Sequence, residues 1–151
     1  MLEKSCGIIL YTIIHNKRHY LLIESKDGVI GFPKGHIEDD ETEKECALRE
    51  CEEETSIVAQ LKPFFRKMVQ YPISKGKEKQ VVYFIGYFEN QKAKHNEGYE
   101  YFNYLLYPYE KAYESLTFDN TKEVLEEKAE QYLQKTVLTK IKDWWAQLQT
   151  K

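Results

Sequence analysis

Glu50, Glu53 and Glu54 recur at spacings of three and four, which on a helix puts their carboxylates on one face, about 5 to 6 Å apart at the backbone end. Two such charges repel by roughly 0.7 kcal/mol in water and about 3 kcal/mol at an effective dielectric of 20, so a partly sheltered triad is costly without a counterion. A hard divalent cation relieves that cost. Magnesium takes oxygen ligands, keeps several waters, and is commonly held by one or two carboxylates together with substrate phosphates. The competing account is a solvated acidic helix face.

The surrounding charge bears on the choice. From Glu38 to Glu54 ten acids stand against Lys44 and Arg49, a net of -8, and the remainder of a chain whose total is -3 therefore carries +5. A mildly basic body with one intensely acidic segment lacks the continuous basic track of a nucleic-acid binder, so no stable nucleic-acid complex is expected. It suits a small polyanion bridged by metal.

The elements that must position these residues are legible in outline. Asp40 and Glu43 fit a capping box, and Ala47, Leu48 and Cys51 supply an apolar stripe at helical spacing through Glu54. Ahead of that helix, residues 28–35 form an irregular loop punctuated by Gly31, Pro33 and Gly35. Residues 8–14 and 20–23 read as neighbouring strands, and 57–65, 67–73 and 80–88 as further strands, with a lysine-rich loop over 74–79. A short helix is expected over 109–115. Asn120 with Glu123 repeats the capping-box pattern before Val124, Leu125, Ala129, Tyr132 and Leu133, and a last helix runs over about 137–149. Trp144 and Trp145 in that extension are expected to dock it on the body. The 151 residues, 42% hydrophobic and 14% aromatic, imply one globular domain spanning 1–151 with no membrane span. With no basic, small-residue leader, a cytoplasmic address is expected. Cys6, Cys46 and Cys51 form no C-x-x-C pair and read as buried small hydrophobes.

Gly35, Glu41, Arg49, Glu50, Glu53, Glu54 and Ile57 fall at the matching positions of a twenty-three-residue segment that resembles the Nudix box. Two positions depart from it: Cys51 stands at an apolar site, and Ser56 replaces the last glycine, which implies backbone strain or a different turn if a left-handed helix end is needed there. The resemblance implies an α/β fold, an α/β/α sandwich around a central mixed sheet. It implies Mg2+ or Mn2+ as cofactor, with Glu50, Glu53, Glu54 and the Gly35 carbonyl as metal ligands. Arg49 would orient a catalytic glutamate by ion pairing, and Glu41 would support the loop. The chemistry implied is hydrolysis of a phosphoanhydride in a nucleoside diphosphate linked to another group.

The approach Phe32-Pro33-Lys34-Gly35-His36 resembles that of asymmetrical diadenosine tetraphosphate hydrolases. Lys34 and His36 would then meet phosphate oxygens, with Lys79 and Lys77 at the far end of the polyphosphate. Tyr71 and Phe118 match the places where that family holds adenine between aromatic rings, the alternative for each being ordinary core packing. Glu100, or failing it Glu97, matches a further catalytic or metal-assisting glutamate. The partner implied is thus a dinucleoside polyphosphate, cleaved to ATP and AMP. Two other readings stand beside it: removal of pyrophosphate from RNA 5′ ends, and a non-catalytic domain that senses nucleotides.

Overall fold

The computed structural model describes residues 2–149, and the side chains of these except 128 and 136–139. Eight strands share one sheet: β1 (Leu2–Ile14), β2 (Lys17–Glu24), β3 (Ile30–Gly31), β4 (Lys34–His36), β5 (Gln60–Leu61), β6 (Lys67–Ser74), β7 (Lys77–Tyr87) and β8 (Asn103–Pro108). Helix α1 (Glu43–Thr55) lies between β4 and β5, and α2 (Tyr109–Ser115), α3 (Asp119–Glu123), a π-helical stretch (Val124–Glu130) and α4 (Gln131–Gln149) follow β8.

β1 is the spine, since β2, β4 and β7 all hydrogen-bond to it. β2 turns back antiparallel through His15 and Asn16, both at positive φ (50° and 64°), as a two-residue hairpin link requires. β7 runs parallel to β1 from Leu2 opposite Glu78 to Tyr11 opposite Tyr87. β3 and β8 extend the sheet from β2, and β5 and β6 extend it from β7, all antiparallel. The sheet is therefore mixed, as expected.

Strand alternation divides the core in two. Cys6, Ile8 and Leu10 of β1 pack with Val82 and Phe84 of β7 against Cys46, Ala47 and Cys51 of α1. Ile9 and Tyr11, with Val81, Tyr83 and Ile85, pack on the other face against Ala112, Leu116, Val124, Leu125, Ala129 and Leu133. Helices thus cover both faces, giving the α/β/α sandwich. Each large side chain fully buried here contributes about 1.5–3 kcal/mol of transfer free energy.

Several boundaries differ from expectation. α1 is capped two residues later than Asp40: the Thr42 Oγ1 accepts from the Glu45 N–H (3.1 Å), and the Glu45 carboxylate accepts from the Thr42 N–H (3.0 Å). Asp40 is left in a turn closed by Glu41 and Glu38, while Glu43 pairs with Arg66 and Lys4. α3 starts at Asp119 with no side-chain cap, which puts Asn120 inside it. Of residues 57–65 only Gln60–Leu61 pair as a strand, because the Gln91 side chain takes both the Val58 N–H and its carbonyl. β7 begins at Lys77, so the lysine-rich segment is a tight hairpin rather than a loop. β8 was not foreseen, although Tyr104, Leu105, Leu106 and Tyr107 ahead of Pro108 are strand-forming residues.

The C-terminal extension departs most. The expected helix over about 137–149 is the second half of α4, and Trp144 and Trp145 rest edge-to-face on each other, each 56% exposed, rather than on the body. Every residue from Lys140 to Gln149 is exposed. The three cysteines are buried and free, as expected. Residues 1, 150 and 151 of the domain span lie outside the described residues.

Gly7 is a close approach of β1 to β4. A Cβ there would meet the Lys34 Cβ and the Pro33 carbonyl oxygen, each at 2.7 Å. Gly7→Ala is expected to push β4 away and to destabilise the fold by about 1–3 kcal/mol, read from the urea midpoint with an unchanged slope.

Candidate functional site

β4 lies edge-on to the acidic face of α1, and the contact is made by backbone. A Cβ on Gly35 would fall 2.1 Å from the Glu50 carboxyl carbon, so any other residue here would force that head group to swing aside. The Lys34 N–H donates to Glu54 Oε1 (2.8 Å). The Gly35 carbonyl accepts a weak bond from the Cys46 thiol at 3.5 Å.

Arg49 gathers the remaining acids. Its guanidinium donates to both oxygens of Glu41, to Glu50 (2.9 Å), to Glu53 (3.1 Å) and to the His36 carbonyl (3.1 Å). Glu41 is held down to about 2 by the Arg49 hydrogen bonds, and it also accepts from the Glu38 N–H. The carboxylates of Glu50, Glu53 and Glu54 thus share a helix but divide at their heads, two on the guanidinium and one on the Lys34 backbone. Among the described residues, no three acidic, histidine or cysteine side chains converge as a ready-made cation site.

The electrostatics nevertheless fit a hard cation. Burial pushes Glu54 up to about 8, with Glu50 and Glu100 adding to the shift and the Lys34 N–H opposing it. Burial likewise raises Glu50 against the pull of Arg49. Two sheltered carboxylates that repel each other, with a backbone carbonyl beside them, form an all-oxygen donor set.

On the opposite side of β4, Lys34 is largely buried with its pKa lowered, first by that burial and then by the facing ammonium of Lys79. Tyr71 stands opposite Lys79 in the β6–β7 register and packs half-buried against the core of that face. His36 extends toward Glu3, Nε2 to carboxylate 3.6 Å, with two-thirds of its side chain exposed. Lys77 is two residues nearer the hairpin tip and exposed. Phe118 is 54% exposed at the start of α3, and neither its ring nor that of Tyr71 stacks on another aromatic among the described residues. Glu100 lines a recess with Glu54, whereas Glu97 sits in the exposed turn before Gly98.

Sequence reasoning missed what secures the C-terminal end of α1. Its last carbonyls are all taken up, mostly by the segment following β7. Asn96 Nδ2 donates to Glu52 O (2.6 Å) and Glu53 O (3.1 Å), Tyr104 Oη donates to Glu54 O (2.9 Å), and the Lys94 N–H donates to Thr55 O (3.0 Å). Ser56 adopts the left-handed conformation (φ 66°, ψ 9°) expected of the missing glycine, its N–H bonded to Glu52 O and its Oγ to Lys94 O. The only sequence signal was the serine itself, whose strain of roughly 1–2 kcal/mol needs outside support.

A NUDIX domain profile matches residues 7–129, and the chain belongs to the NUDIX domain family. Among curated proteins it is similar to the bis(5′-nucleosyl)-tetraphosphatase [asymmetrical] of Rattus norvegicus, 27% identical over 84% of this chain and 93% of that protein. The Mus musculus protein of the same name is 28% identical over the same shares. Among solved structures, a C. elegans Ap4A hydrolase binary complex superposes with a TM-score of 0.78 at 23% identity, covering 87% of this chain and 97% of that one.

Two outcomes follow from this geometry. Glu54 keeps its proton to about pH 8 when folded but releases it near 4.5 when unfolded, so in chelator its contribution to stability declines as pH rises through that window. Thermal melts of Glu54→Gln in EDTA should match wild type near pH 5 and exceed it near pH 8, by an amount on the order of a few kcal/mol. Asn96→Ala removes two hydrogen bonds and should cost about 1–2 kcal/mol in a urea titration.

Proposed function

We propose that this chain hydrolyses diadenosine tetraphosphate asymmetrically, by attack of water, to give ATP and AMP. The observation that carries the reading is the meeting of acidic and basic groups at β4. The sheltered carboxylates of Glu50 and Glu54 lie on one side of it, and the ammonium groups of Lys34 and Lys79 lie on the other. A chain of four phosphates is long enough to use both. The names of the rat and mouse relatives support the same substrate.

In this reading Glu50, Glu53, Glu54 and the Gly35 carbonyl hold Mg2+ or Mn2+. When bound, the metal supplies charge neutralisation at the phosphate oxygens and a more acidic water. Arg49 aligns Glu50 and Glu53 in the metal-free site through the bonds described above, and both would turn from it toward Glu54 to meet the ion. The Lys34 N–H fixes Glu54. Glu100, facing Glu54 across the recess, accepts the proton of the attacking water on a carboxylate oxygen. Lys34 and His36 bind phosphate oxygens next to the cleaved bond, and Lys79 and Lys77 bind those beyond it. Tyr71 and Phe118 offer aromatic faces to adenine, where stacking on one ring is worth about 1–3 kcal/mol.

Incubation with diadenosine tetraphosphate and magnesium in 18O-labelled water should yield ATP and labelled AMP, separated by chromatography and weighed by mass spectrometry. Two molecules of ADP would contradict asymmetric cleavage, and no products would turn the test to triphosphorylated RNA. Glu53→Gln and Glu54→Gln should each lower kcat at least a hundredfold while the melting curve in magnesium-free buffer stays cooperative. Unchanged rates in both would remove these carboxylates from the mechanism.

A further inference from the structure

Ile141, Trp144, Trp145 and Leu148 fall in the second half of α4. At about 100° of helix turn per residue they lie within an arc of about 100°, so they form one apolar stripe. All four are between 44% and 56% exposed. Leu133, at the border of the same arc, is buried in the core, so the side that seats α4 on the sheet continues past the sheet into solvent.

The charges around the stripe are ordered. Lys140 falls outside one edge and Lys142 and Lys135 outside the other, while Asp143, the one acid of Gln131–Gln149, points about 150° away from the stripe's centre. Where α4 passes the ends of β1 and β7, Lys140 lines a recess with Lys62, Tyr87 and the half-exposed Ile13. This end of the molecule presents apolar side chains rimmed by ammonium groups. Helix α1, with its acids, packs on the other side of the sheet, and β4 meets β1 at Ser5, Cys6 and Gly7, about 20 Å along the strand from Ile13.

An apolar arc with cations on both flanks and its acid at the back matches the boundary of an anionic bilayer. Lysine stems let the ammonium groups reach phosphate while the stripe enters the acyl region, and tryptophan suits that depth. Among the described residues no helix is long and apolar enough to cross a membrane, so such a contact is made lying flat. A second copy of α4 fits less well: stripe against stripe would line the edges of the seam with lysines and keep both Asp143 carboxylates away from them.

We propose that the second half of α4 is a docking surface for an anionic lipid bilayer, with Ile141, Trp144, Trp145 and Leu148 inserted and the flanking lysines on lipid phosphates. The inference does not depend on which phosphoanhydride the chain cleaves.

The chain has two tryptophans, Trp144 and Trp145, so its tryptophan emission reports on this stripe alone. Vesicles of phosphatidylcholine with about a third phosphatidylserine should move that emission to shorter wavelength, and the protein should sediment with them, both effects fading as salt is raised. Ile141→Ser combined with Leu148→Ser should raise the lipid concentration for half-maximal shift about tenfold or more, and Lys140→Gln combined with Lys142→Gln should raise it as well. Because these positions are exposed, the urea midpoint of both variants should stay at the wild-type value. Emission unmoved by the anionic vesicles, an equal shift on pure phosphatidylcholine, or unchanged lipid affinity in both variants would each overturn the proposal. A shift that follows protein concentration instead of lipid, with a doubled mass in light scattering, would overturn it in favour of a second copy.

Discussion

The backbone of β4 lies against carboxylates of α1, and most of the site follows from that contact. Burying a carboxylate without partners is costly. Glu50 and Glu54 are tolerated because the strand offers what they need: a glycine where one head group must fit, and an amide N–H aimed at the other. The same three residues carry on their far side the ammonium and imidazole groups that would meet an anion. One short strand, held to β1 by Ser5, Cys6 and Gly7, therefore sets the distance between the acidic and basic halves.

α1 must then be held still against an unfavourable charge pattern. Glu52, Glu53 and Glu54 occupy its last turn, where the helix dipole is already negative and no basic residue compensates. Thr42 secures the first turn in the ordinary reciprocal way. The last turn depends on distant residues, Asn96 and Tyr104, whose donors meet the same carbonyls that carry the negative end of the dipole. Tyr99 reaches the Glu53 carboxylate from that segment as well, at 3.4 Å. The segment thus joins the stability of the helix to the placement of Glu100.

What could be read from the chain alone sorts by physical range. The carboxylate spacing, the apolar stripe of α1, both layers of helices and the long strands depend on local periodicity, and those were legible. The cap moved from Asp40 to Thr42 because two overlapping patterns compete, and Arg66 and Lys4 decide between them by claiming Glu43. Residues 57–65 have strand-like composition but lose most of their pairing to the side chain of Gln91, a contact thirty-three residues away. Arg49 meets Glu53 at the helical i, i+4 spacing, but its pairing with Glu41 and the capping by Asn96 depend on tertiary proximity, which no spacing rule encodes. Trp144 and Trp145 illustrate the converse error: bulk and apolarity suggested docking, yet both rings stay largely exposed and rest on each other.

The back of α1 is built from small residues, Cys46, Ala47 and Cys51, and these bring the helix close enough to the sheet for its acids to reach the strand. Burial pushes both thiols up to about 12, so they stay protonated and sluggish as nucleophiles at neutral pH. Should harsher oxidants add oxygen to either sulfur, the extra volume would act as a wedge under the helix. Damage of that kind would lever the acidic face of α1 away from β4, which makes the close seating of this helix the molecule's point of vulnerability to oxidative ageing.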